Sequence, residues 1–183
     1  MQKEHGCVSE LGNGRTAEKS VAISERSDVV VTHISARRGA RAALGDAART
    51  SLGIELPSTP RVVDAAGAMV VWAGPDQWLI VEPSAPGTDP SAKPASTFNG
   101  LASVVDVSDS RTIYRVAQSA PSAALVQSMG IDLGDTSFRP GDVAITHVAH
   151  LGVMVWRMPD GSGYEFACAR TYSRDFLHWL SRI

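Results

Sequence analysis

In HVAH, His147 and His150 stand three positions apart, the spacing of a metal-ligand pair on one face of a helix. Their surroundings, AITHVAHLGV, alternate and are rich in β-branched residues, so a strand is predicted instead and the two rings fall on opposite sheet faces. No HExxH motif and no cysteine pair completes a ligand set. Only Cys7 and Cys168 are present, the first in a polar N-terminal stretch and the second in an apparent strand with no local signature of a nucleophile. No GxSxG elbow occurs either. Gly12-Asn13-Gly14 and Gly161-Ser162-Gly163 loosely resemble phosphate loops, yet neither joins a strand to a helix in the required arrangement, and both read as turns.

The most polar cluster in a strand-rich region is DVSDSR, with Asp106, Ser108, Asp109 and Arg111. Asp106 and Arg111 could pair as an anion-binding or acid/base couple. The same residues are what an Asx-type turn uses to satisfy its own backbone, and that reading is preferred. Trp72 and Trp78 flank the turn Pro75-Asp76, while Trp156 and Trp179 lie further on. Core packing accounts for most of these rings, but Trp78 and Asp76 beside an exposed turn could anchor a partner chain, as tryptophan does in interface hot spots. Trp78, Asp76, Asp106 and Arg111 are therefore the candidate interface residues, with no catalytic, cofactor-binding or metal-binding residue assigned.

Bulk properties narrow the class. A chain of 183 residues suits one domain, and its net charge of −2, with no long run of either sign, leaves no footprint for nucleic acid or an anionic membrane. Two cysteines fit a reducing compartment, and the N-terminus lacks the apolar core of a signal peptide, so a cytoplasmic protein is expected.

The elements that position these residues come in two copies. SLGIELPSTP and SMGIDLGDTS begin at Ser51 and Ser128, 77 positions apart, and VVWAGPDQW parallels MVWRMPDGS, with Trp72 facing Trp156. In the first copy VVVTHIS predicts a strand, then Leu44, Ala47, Ala48 and Leu52 fall at helical spacing and Gly53 supplies a left-handed stop that Ile54 packs back upon. In the second, TIYRVA is the strand, Pro121 suits a first helical turn, Leu125, Val126 and Met129 form the buried stripe, and Gly130-Ile131 repeats the stop. Each half then carries a hairpin with a tryptophan. The expected fold is α+β, with duplicated strand-helix-hairpin halves at 29–82 and 103–183, in a ferredoxin-like pattern sharing a sheet with helices on one face. A loose N-terminal arm is expected over 1–28, a Pro-rich connection over 83–102, and a closing helix in SRDFLHWLSRI with Ser173 as N-cap and Phe176, Trp179, Leu180 and Ile183 inward.

At WAGPDQWLIVEP, DVSDSR, FRPGDVAITHVAHLGVMVWR and FLHWL the chain resembles the gamma subunit of heterotetrameric sarcosine oxidase, over roughly residues 29–183. That resemblance implies a small non-catalytic subunit of an alpha-beta-gamma-delta flavoenzyme that oxidatively demethylates sarcosine to glycine, with formaldehyde captured by tetrahydrofolate and hydrogen peroxide formed. It places FAD, FMN, NAD and tetrahydrofolate in the partner subunits and none in this chain. It also implies a fold similar to the folate-binding domain of glycine-cleavage T-proteins, with no folate-binding or catalytic position carried over. The competing reading is a free-standing folate-binding or aminomethyltransferase-like protein with a pocket between the halves, lined by DVSDSR.

Overall fold

In the computed structural model, residues 22–65, 67–87, 89–118, 123–148 and 150–182 are described. Cys7, Gly12-Asn13-Gly14, Pro121 and Ile183 lie outside them. The first half consists of β1 (Ala22–Glu25), β2 (Val29–Ala36), α1 (Arg41–Ala47) continued by a π-turn (Ala48–Leu52), β3 (Val62–Ala65), β4 (Ala68–Gly74), β5 (Gln77–Pro83) and α2 (Ala92–Thr97). The second repeats the order: β6 (Ala102–Asp106), β7 (Arg111–Ala117), α3 (Ala123–Ser128), β8 (Val143–Val148), β9 (Leu151–Arg157), β10 (Tyr164–Ala169), a 3-10 turn (Arg170–Tyr172) and α4 (Ser173–Leu180).

These strands form two five-stranded antiparallel sheets, β1-β7-β10-β9-β8 and β6-β2-β5-β4-β3, rather than one shared sheet. The first strand of each half is given to the other half's sheet. Ala22 to Glu25 pairs with Ala117 to Tyr114, and Ala102 to Asp106 pairs with Ala36 to Thr32. Residues 22–25, expected in the arm, are thus an edge strand, and the expected connection contains α2 and the start of β6.

Alternation along each strand then builds three apolar layers. Val31, Val71, Leu79 and Val81 meet Ile113, Met154, Trp156 and Ala167 between the sheets. Outside them, Ile34, Val70, Trp78 and Ile80 pack under Leu44, Ala48 and Phe98. On the opposite face Tyr114, Phe166 and Val155 pack under Leu125, Phe176 and Leu180. Helices therefore cover both outer faces, because each sheet has one face against its twin and must bury the other.

A pseudo-twofold relation is written in the backbone. Arg61 and Asp142 meet as an isolated antiparallel bridge and as an ion pair, flanked by Val62 N–H to Gly141 O at 2.8 Å and Val143 N–H to Pro60 O at 3.0 Å. The ladder sets Val62 opposite Val71 and Val143 opposite Trp156, so Trp156 corresponds to Val71 and not, as the sequence match suggests, to Trp72.

The two helix stops differ. Gly53 sits at φ 67°, ψ 21°, with Ile54 N–H reaching Ala48 O at 3.2 Å and the Ile54 side chain buried. Gly130 lies outside the left-handed region, since Met129 leaves α3 directly into a bridge with Val148. Ser173 is likewise not an N-cap: it is already the first residue of α4, and Tyr172, at the end of the 3-10 turn, holds the cap position without a side-chain bond. Among the described glycines the most constrained is Gly163, where φ is 157° and a Cβ would lie 2.2 Å from Val116 O. Gly163→Ala should lower the unfolding free energy most, Gly53→Ala by about 1 kcal/mol, and Gly130→Ala by less than about half of that, as read from chemical denaturation curves.

Candidate functional site

Trp78 enters β5 directly after the tight turn Pro75-Asp76, and the alternation of that strand turns it toward α1. It is fully buried: its indole N–H donates to Pro57 O at 2.9 Å and the Arg41 guanidinium stacks 4.5 Å from its ring. The sequence expectation that this ring reaches a partner's surface is corrected by that burial. What lies outside is Arg41, which also pairs with exposed Asp76 at 3.1 Å, so one side chain ties the turn, the helix start and the indole together. Asp76 itself is held at φ 59°, its carbonyl accepting from Ala36 N–H at 2.9 Å. Arg41 was missed by sequence reasoning, although its position in ARRGARAAL, at the start of the predicted helix, was visible.

Asp106 and Arg111 bracket the segment by which the chain crosses from β6 to β7, that is, from one sheet to the other. The Asp106 carboxylate accepts from Ser108 N–H at 2.9 Å and Ser108 Oγ at 2.6 Å, forming an Asx turn. Ser108 Oγ in turn accepts from Val31 N–H at 2.9 Å, which pins the turn to β2. Arg170 clamps the same segment, its guanidinium donating to the carbonyls of Ser108, Asp109 and Arg111 at 3.1, 2.9 and 2.9 Å. Asp106 and Arg111 do not pair with each other; Arg111 instead places its charge near His33, whose pKa is lowered, first by burial and also by that charge.

The other crossing, from β1 to β2, carries the most deeply buried charge. Glu165 on β10 is fully buried between the sheets, 2.5 Å from Arg26 and 3.8 Å from Arg115, its cross-strand neighbour. Trp156, its neighbour on the other side, faces the carboxylate, and Glu165 Oε2 has no regular hydrogen-bond partner among the described residues. Arg26 also binds Asp28 at 2.7 Å, while Arg115 reaches Ser162 Oγ at 2.8 Å. Sequence reasoning missed this cluster. Its signal was a lone glutamate inside the apolar run YEFACA.

The remaining candidates are spread apart. His147 is exposed on β8, and His150 lies in the following turn at φ 72°. Among the described residues no three His, Cys, Asp or Glu side chains group around a common point. Cys168 is buried in β10, where burial pushes its thiol up to about 11, far from a thiolate nucleophile at neutral pH. Gly161-Ser162-Gly163 turns between β9 and β10, with Ser162 N–H donating to Asp160 at 2.9 Å. No helix among the described residues is long and apolar enough to cross a membrane.

With this geometry in view, residues 37–183 match the model of the sarcosine oxidase gamma subunit family. The sarcosine oxidase subunit gamma of Corynebacterium sp. (strain P-1) is 28% identical over 143 residues, 78% of this chain and 68% of that one. That of an Arthrobacter species is 26% identical over 173 residues, 93% and 82% of the two chains. In fold, the chain is similar to one in the heterotetrameric sarcosine oxidase from Corynebacterium sp. U-96, with a TM-score of 0.75 at 23% identity over 88% of this chain and 82% of that one. It is also similar to the glycine cleavage system aminomethyltransferase T from Bartonella henselae, with a TM-score of 0.60 at 13% identity over 87% of this chain and 45% of that one.

Two outcomes follow from the burials. Trp78→Ala should destabilise the chain itself by about 3–5 kcal/mol in denaturant titrations, because it empties a core site and leaves Pro57 O only the longer 3.5 Å bond from Arg41. Burial raises the Glu165 carboxyl above its usual range, against the pull of Arg26 and Arg115. The folded state therefore holds this proton more tightly than the unfolded chain. The stability so gained is fully present below the ordinary glutamate pKa and is lost as pH rises through the raised value. Glu165→Gln should remove that downward slope, measured as unfolding free energy against pH from the ordinary glutamate range upward.

Proposed function

Because the chain belongs to the sarcosine oxidase gamma subunit family, we propose that it is a non-catalytic, cytoplasmic subunit of a heterotetrameric sarcosine oxidase. In this reading the partners are the alpha, beta and delta chains, the large subunits among them carry FAD, FMN, NAD and the tetrahydrofolate that accepts formaldehyde, and this chain stabilises the assembly. The observation that supports it is where the polar side chains are spent. Asp106, Ser108 and Arg170 bind the backbone of one sheet crossing, and Arg26 and Glu165 bind each other beside the second. A catalytic or cofactor site needs polar groups that converge on a ligand instead.

In this reading Asp76, Asp106 and Arg111 belong to the docking surface; Asp76 and Asp106 are exposed and Arg111 is half-buried. Trp78 supports that surface from beneath, through Arg41. Co-expression with the three partner chains should give a stoichiometric complex. Asp76→Arg and Arg111→Glu together should reduce co-purification at least tenfold while the far-ultraviolet circular dichroism of the isolated variant stays unchanged, as expected for rim charges that act on association. Normal co-purification of the double variant would remove these residues from the interface. Saturable binding of tetrahydrofolate to the isolated chain in calorimetry would favour the free-standing folate-binding reading.

A further inference from the structure

A cleft of about 290 Å³ opens on the α1/α2 side of the β3-β4-β5 sheet. Its floor is apolar, formed by Leu52 and Ile54 from the end of the π-turn, Ala68 of β4 and Ile80 of β5. Two opposite charges stand over that floor: half-buried Glu82, two residues beyond Ile80 on the same strand face, and exposed Lys93 on α2. They do not bridge one another. Neither closes a hydrogen bond or ion pair among the described residues. Asp89 lines the rim too, but its carboxylate is held by Ser91 N–H at 2.8 Å and Ser91 Oγ at 2.7 Å.

Among the described residues some exposed charges pair, as Arg49 with Asp46 and Arg41 with Asp76, and others such as Arg37, Glu55 and Arg182 stand alone in solvent; Glu82 and Lys93 differ from both in lining one apolar cleft together. A carboxylate and an ammonium that share one apolar cleft without pairing leave room for a molecule carrying the complementary charges. The volume lies at the lower edge of small-molecule sites, which excludes nucleotides and large heterocyclic cofactors. We infer that this cleft binds a small zwitterion with a short apolar body, an aliphatic amino acid, its ammonium against Glu82, its carboxylate against Lys93 and its side chain on the Ile54–Ile80 floor. This ligand class is independent of the assembly role proposed above.

The test uses the full-length chain, with folding of every variant checked by circular dichroism. L-Leucine, leucinamide and 4-methylpentanoate are titrated and followed by heteronuclear NMR shifts of Ala68, Ile80 and Lys93. Leucine should saturate and bind at least tenfold more tightly than either analogue. Glu82→Gln should abolish its advantage over 4-methylpentanoate, and Lys93→Gln its advantage over leucinamide. Ala68→Leu, which fills the floor, should eliminate binding of all three. The inference is overturned if leucine fails to saturate on the folded wild-type chain, if all three probes bind alike, or if both charge variants leave leucine affinity unchanged.

Discussion

Neither sheet of this protein is complete within its own half of the chain, and the other structural features are arranged around that constraint. β1 is an edge of the sheet built by the second half, and β6 is an edge of the sheet built by the first. The chain must therefore cross between sheets twice, and at each crossing its backbone groups leave one ladder before joining the next. Buried amides and carbonyls in that position need other partners. The two crossings use equivalent main-chain bonds, Arg26 N–H to Ile113 O and Val107 N–H to Val31 O, both at 2.8 Å. An arginine then secures each one, Arg26 through a buried carboxylate and Arg170 through three carbonyls.

Around this shared frame the halves have diverged where local packing allows it. The first half ends its helix with a left-handed glycine and a buried isoleucine, while the second runs into a β-bridge through Met129. An arginine stacked on an aromatic ring recurs in both outer layers, as Arg41 on Trp78 at 4.5 Å and Arg157 on Tyr164 at 5.7 Å; the rings hold equivalent places, opposite Ile34 and Val116, but the arginines come from α1 and from β9. Similar physics was reached from different positions. The planar guanidinium covers an aromatic ring in both, half-exposed at Arg41 and buried at Arg157, where exposed Asp135 at 2.7 Å balances the charge.

Much of the architecture was legible because it is local. The period-2 runs of VVVTHIS and TIYRVA, the helical spacing of Leu44, Ala48 and Leu52, and the Pro-Asp turns each declare themselves within ten residues. The exchange of strands was not legible, since a short segment such as AISE carries little apolar signal and nothing in it names the sheet it will join. The same limit governed the candidate residues. Asp106 could be read as an Asx turn from its neighbours alone, whereas the burial of Trp78 depends on Pro57 and Arg41, and the trapping of Glu165 depends on Arg26, far away in sequence. Tertiary partners of that kind leave only indirect marks, such as one charge in an otherwise apolar strand.

The reciprocal edge strands also carry a genealogical implication. Made as a separate chain, either half would present a leading strand with no sheet of its own to enter, beside a sheet lacking one edge. Two copies of such a half would answer each other's deficiency around a twofold axis, and the axis would pass where Arg61 now meets Asp142. End-to-end fusion of the two copies turns an obligate strand-swapped pair into one polypeptide, converting a concentration-dependent association into an intramolecular one. The short stretch between Thr97 and Ala102 would then be the seam of that fusion, and freedom from a symmetric partner would let the two copies acquire different surfaces.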